Sequence, residues 1–108
     1  MPGMKDLVKG TDRYRNFIGG QWVESTLKEW IEVENPATGQ VIASVPRGNA
    51  DDADRAVTAA YQAQPAWEAL PPAARGQLLK DLARVVLENR ERLARMVIAE
   101  QGKPLQEA

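Results

Sequence analysis

Apolar and polar positions alternate with a period of two through the first half of the chain and with a helical period through the second. Tyr14 to Glu24 predicts a β-hairpin, with Phe17-Ile18 leading into Gly19-Gly20 and Gln21-Trp22-Val23 leading out. A Gly-Gly pair supplies the positive φ angles of a tight turn at little steric cost. Such a hairpin is marginal alone, so its aromatics need something to pack on. Trp30 to Glu34 predicts another strand, with Ile31 and Val33 on one face and Trp30, Glu32 and Glu34 on the other. Asn35-Pro36-Ala37-Thr38-Gly39 then makes a turn, because Pro36 presets φ and Gly39 can take the left-handed conformation. The return strand runs from Gln40 to Pro46, with Val41, Ala43 and Val45 alternating.

From Asn49 onward the period becomes helical. Asn49 is a candidate N-cap, and Asp51, Asp52 and Asp54 place negative charge at the positive end of the macrodipole. Ala53, Ala56, Val57 and Ala60 share a face, and the small alanines predict close approach of another element. Pro65 is expected to end this helix, leaving Ala66 to Leu70 as a linker that carries Trp67. Pro71-Pro72 suits the opening of a second helix. Leu78, Leu79, Leu82, Val85 and Val86 form its apolar stripe. Glu88 to Glu91 reads as a break, and Leu93, Met96, Val97 and Ala99 continue in a third helix. Gly102 suits the C′ position, Pro104 blocks continuation, and Leu105 to Ala108 looks like one further helical turn.

Strands first and helices second predict an α+β fold, two N-terminal β-hairpins followed by about three helices. A flexible arm is expected over residues 1–13 and one folded unit over 14–108. A net charge of -1 gives no global field toward nucleic acid or an anionic membrane. No apolar run approaches the length of a membrane span, and Met1 to Asp6 has no apolar secretory core. The expected location is therefore cytoplasmic. The sequence contains no cysteine, which excludes disulfides, thiolate metal sites and a cysteine nucleophile within it.

Candidate chemistry is sparse. Asp51, Asp52 and Asp54 point in different directions around one helical turn, so they read as dipole partners rather than metal ligands. Asn35 precedes proline, which blocks the glycosylation pattern. No clustering of basic residues is expected around the aromatics Tyr14, Phe17, Trp22, Trp30 and Trp67, so they read as packing groups and not as a nucleic-acid platform. The Leu/Val stripe reads as core, or as a face shared with a partner. Glu100 is the unusual carboxylate, because it opposes the macrodipole in the last turn of its helix.

Five segments resemble the aldehyde dehydrogenase family in order and spacing: Phe17-Ile18-Gly19-Gly20-Gln21-Trp22, Val33 to Gly39 with Val41-Ile42, Asp52 to Val57 with Ala59-Ala60, Pro65-Ala66-Trp67 with Leu70-Pro71, and Glu100-Gln101-Gly102-Lys103-Pro104. The likeness covers residues 14 to 108. It implies the N-terminal layer of a Rossmann-like cofactor-binding domain, ending before the dinucleotide-binding sheet. In the family, a cysteine thiolate attacks an aldehyde, hydride passes to NAD or NADP, and a glutamate-activated water hydrolyses the thioester. None of the motifs that carry those roles is present here, so no catalytic and no cofactor-binding residue is assigned. The resemblance also implies a monovalent cation held by Glu100 and the carbonyls of Val33 and Glu34. The implied partners are the rest of the enzyme or another copy of the chain in a homo-oligomer, with a small aldehyde as substrate. Gln64 to Pro71 leans toward bacterial enzymes acting on lactaldehyde or glycolaldehyde. The competing expectation is a self-standing dimerisation module derived from the same family.

Overall fold

A computed structural model describes residues 12–108. Two antiparallel hairpins precede three helices. The first pairs β1 (Asn16–Ile18) with β2 (Gln21–Val23), and the second pairs β3 (Trp30–Glu34) with β4 (Val41–Pro46). The helices are α1 (Ala50–Ala69), α2 (Pro72–Glu88) and α3 (Arg90–Gln101), followed by a 3-10 turn at Leu105–Glu107. This is the α+β order that the change of period predicts. Of the arm expected over 1–13, residues 1–11 lie outside the described residues. At its end, Ser44 donates its N–H to the Asp12 carbonyl (2.8 Å) and Tyr14 donates to the Ser44 carbonyl (2.9 Å). Arg13 thereby bridges β4 in parallel.

Both turns follow from their residues. Phe17 faces Trp22 and Ile18 faces Gln21, which leaves Gly19 and Gly20 as a two-residue loop with φ of 61° and 78°. Positive φ at both positions is the primed geometry that matches strand twist. The hairpin lies against α1, and a β-carbon on Gly19 would sit 3.9 Å from the Ala59 β-carbon. The alanine-rich face of α1 thus does receive a neighbour. Phe17 and Trp22 pack on one another, with ring centroids 4.9 Å apart.

In the second turn the Asn35 carbonyl accepts from Thr38 (3.2 Å) and Gly39 (2.8 Å), while Asn35 Oδ1 accepts from the Ala37 N–H (2.9 Å). Asn35 is therefore both the start of the turn and its side-chain lock. Gly39 exits at φ 72°. Just before the turn the register slips: Val33 faces Ala43 but Glu34 faces Val41, so Ile42 is the extra residue of a β-bulge.

The helices depart from the sequence reading in one place. Pro65 does not end α1; it lies inside it, and Ala66 to Ala69 with Trp67 is helix rather than linker. The proline removes one donor and orphans the Tyr61 carbonyl. Tyr61 is 80% exposed, so that carbonyl lies on the solvent side, and only one further turn follows. Leu70 at ψ 141° then breaks the helix ahead of Pro71-Pro72. The break at Asn89 is present (φ -106°, ψ 12°). Its N–H reaches the Val85 and Val86 carbonyls, its Nδ2 reaches Val85, and its own carbonyl accepts from Leu93. One residue therefore closes α2 and opens α3. Gly102, at φ 70°, donates to the Ile98 carbonyl (2.8 Å) as the left-handed stop of α3.

The core is small. Among the described residues only Ala43 and Ala99 are buried apolar side chains. The stripe expected to be core is open instead, with Leu79 and Leu82 each 58% exposed and Leu78, Val85 and Val86 alongside them. Among the described residues nothing covers that face.

Candidate functional site

The second hairpin turn and the end of α3 meet. A β-carbon on Gly102 would lie 3.4 Å from Pro36 Cγ and 3.8 Å from the Ala37 β-carbon, so the two motifs first noticed at opposite ends of the sequence form one junction. Beside it is a cavity of about 200 Å³, lined by Tyr14, Val33, Ile42, Ala43, Val45, Met96 and Glu100. Val33 and Glu100, two of the three residues expected to hold a cation, thus share one lining. Glu34 is not part of it; its Oε1 lies 3.7 Å from where a β-carbon on Gly39 would sit. Only its carbonyl remains a candidate donor.

Glu100 supplies the one carboxylate on that lining. No group of three or more His, Cys, Asp or Glu side chains capable of holding a metal ion occurs among the described residues. A single negative charge, placed at the negative end of a helix, suits a monovalent cation rather than a divalent one.

A second polar centre was invisible as such in the sequence. Ser25 and Asp52 are the buried polar residues among those described. Ser25 Oγ donates to Asp52 Oδ2, and the same carboxylate accepts from the N–H groups of Thr26 (3.0 Å) and Asn49 (3.1 Å). Asn49 Oδ1 in return accepts from the Asp52 N–H (2.9 Å), which completes a reciprocal capping box at the start of α1. The Ser25 hydroxyl is the main cause, ahead of the Thr26 N–H, that holds the Asp52 carboxyl below the usual carboxylate range. With its lone pairs engaged, Asp52 can neither accept a substrate proton nor ligate a metal; it ties the loop after β2 to α1. The Asn49-x-x-Asp52 spacing was the signal that could have shown the box. Nothing local to Ser25 announces its partner 27 residues away.

The aromatics also require a correction. The chain brings Arg13, Arg15 and Arg92 into one groove with Tyr14 and Trp22, and the Arg13 guanidinium lies 5.2 Å from the Trp30 ring centroid. Arg13 and Arg15, which flank Tyr14 in sequence, are joined there by Arg92 from α3.

Comparison with known proteins bears on the whole arrangement. The sequence profile described as "Aldehyde dehydrogenase family" matches residues 22–108. A malonate-semialdehyde dehydrogenase of Halalkalibacterium halodurans is 44% identical over 105 residues, which are 97% of this chain and 21% of that protein. Lactaldehyde dehydrogenase from Escherichia coli superposes with a TM-score of 0.84 at 38% identity, over 88% of this chain and 20% of that one. A structure titled as a methylmalonate-semialdehyde dehydrogenase of Sinorhizobium meliloti, complexed with NAD, gives 0.82 at 32% identity, over 88% of this chain and 19% of that one. The chain thus spans about a fifth of the length of the relatives it matches.

Proposed function

The chain belongs to the aldehyde dehydrogenase family, and from that premise we propose that it is the N-terminal segment of an enzyme that oxidises an aldehyde to a carboxylic acid with NAD or NADP. The segment itself is scaffold. It forms the N-terminal part of the cofactor-binding domain, over residues 14–108, before the dinucleotide-binding sheet. The observation that carries this reading is the uncovered apolar face of α2, from Leu78 to Val86. A contiguous stripe of this kind marks a surface made to be covered. Arg75, near the start of the same helix, supports it: its Nε is buried without a hydrogen-bond partner among the described residues. A buried guanidinium nitrogen calls for an acceptor, and the remaining four-fifths of the enzyme would supply both cover and acceptor.

The substrate class follows the relatives. Malonate-, glutarate- and succinate-semialdehyde dehydrogenases recur among them, beside the lactaldehyde enzyme. A short aldehyde, including one with a distal carboxylate, is the proposed substrate. The location is cytoplasmic and the assembly a homo-oligomer; among the described residues no helix is long and apolar enough to cross a membrane. The monovalent cation sits beside the junction of turn and helix, held by Glu100 and the Val33 and Glu34 carbonyls. It supplies positive charge to a carboxylate that otherwise opposes its own helix.

The experiment compares the full-length gene product with the 108-residue chain. The full-length protein is expected to reduce NAD or NADP when given malonate semialdehyde or lactaldehyde, and the 108-residue chain is not. Turnover by highly purified 108-residue protein would sink the scaffold reading. A second reading, a self-standing dimerisation module, is favoured by the same open stripe. It predicts a discrete, cooperatively melting oligomer of the isolated chain by light scattering.

A further inference from the structure

The groove between the first hairpin and α3 gathers three arginines among the described residues. It has a volume of about 490 Å³ and is lined by Arg13, Tyr14, Arg15, Trp22 and Arg92. The three guanidiniums come from two places: Arg13 and Arg15, which flank Tyr14 ahead of β1, and Arg92 in the first turn of α3. The chain as a whole carries a net charge of -1, so the cluster is not a by-product of a basic protein. Internal pairing does little to neutralise it. Arg15 lies 3.9 Å from Glu24 with both side chains more than half exposed, a separation and exposure at which an ion pair contributes little. Arg13 is engaged with the Trp30 ring, which orients the guanidinium without cancelling its charge. No ion pair of Arg92 is found among the described residues, although Arg84 and Arg95 on the neighbouring helical turns both have glutamate partners at 2.9 Å.

Three like charges brought together without matching carboxylates raise the free energy of the folded chain, and an anion that bridges them lowers it. Guanidinium forks match the tetrahedral faces of phosphate, and Tyr14 and Trp22 add aromatic walls beside them. We infer that this groove binds a ligand carrying two or more phosphate groups. The site is separate from the junction around Glu100, and its test rests on the reading that the chain is part of a longer NAD- or NADP-dependent enzyme.

The test uses the full-length protein with tripolyphosphate as probe, titrated calorimetrically in saturating NAD so that any dinucleotide site is already filled. Saturable binding is expected. Arg92→Gln and Arg15→Gln should each weaken it roughly ten- to hundredfold, the loss typical of one charge-assisted contact. Arg84→Gln, which removes an equal charge outside the groove, should leave it unchanged. A nucleoside triphosphate that binds more tightly than tripolyphosphate, with an advantage lost in Trp22→Ala, identifies a nucleotide as the source of the phosphates; equal affinity identifies free polyphosphate. Absence of saturable binding, or equal weakening by Arg84→Gln and Arg92→Gln, overturns the inference.

Discussion

Pro36 and Gly102, 66 positions apart, are in contact: Pro36 Cγ lies 3.4 Å from where a β-carbon on Gly102 would be. The turn that joins β3 to β4 therefore rests on the stop of α3. Each half of the junction needs its special residue, one for a fixed φ and the other for a positive one.

Gly102→Ala meets two obstacles at once, a φ of 70° and the proline ring. The left-handed conformation alone costs an alanine about 1–2 kcal/mol. Chemical denaturation of the full-length protein should show a loss of at least that size. Pro36→Ala combined with Gly102→Ala should recover the steric part only, and a full recovery would mean that backbone strain is negligible there.

Ser25 and Asp52 set an acid limit on stability. The folded-state pKa of Asp52 lies below its ordinary value of 3.8. A depressed carboxyl stabilises the fold above its unfolded pKa, and the contribution is lost as pH falls through the lower folded value. Melting temperatures measured from pH 6 downward should hold to about pH 4 and then fall. Ser25→Ala, by removing the largest cause of the depression, should lower the melting temperature near pH 6 and make the fall below pH 4 shallower; an unchanged acid limb would contradict the assignment.

Pro65→Ala should stabilise α1. It restores a donor to the Tyr61 carbonyl and removes a clash inside a helix that already runs through the position. The expected gain is about 1–3 kcal/mol, the upper figure applying to a mid-helix proline. Thermal melting and far-ultraviolet circular dichroism would register it. A loss of stability instead would contradict this account of Pro65.

Glu100→Gln tests the proposed cation. The full-length protein should melt at a higher temperature in potassium or sodium chloride than in choline chloride of equal strength. The glutamine variant should lose that difference. A difference that persists in the variant would move the ion elsewhere.

Leu82→Lys separates scaffold from exposed surface. In the 108-residue chain it should reduce self-association seen by light scattering, because Leu82 is 58% exposed there. In the full-length protein it should lower stability by about 2–5 kcal/mol, as expected when a covered leucine is lost.

Local chemistry made much of the fold legible in advance. Gly19-Gly20 named its turn, Asn35 to Gly39 named another, and Asn49, Asn89 and Gly102 marked helix ends, because each acts through backbone groups within a few residues. Pro65 misled because proline's local penalty does not say whether the orphaned carbonyl faces water. The Leu/Val stripe left core and shared face both open, because periodicity reports which face is apolar and not what lies over it. Val33 and Glu100 line one cavity, and the cation proposed there remains to be tested by experiment. The Ser25–Asp52 tie and the approach of Arg92 to the Arg13-Tyr14-Arg15 run could not be read, since both join residues far apart in sequence.

The open face of α2 has a consequence for synthesis. The Halalkalibacterium halodurans relative is about 500 residues long, since 105 matched residues are 21% of it. At 5–20 residues per second, a ribosome would need ~20–80 s to deliver the remaining ~400 residues after this segment emerges. Hydrophobic collapse takes microseconds. Leu79, Leu82 and Val86 would therefore wait in water for most of that interval, and the nascent chain would present them to chaperones before its own cofactor domain exists to cover them.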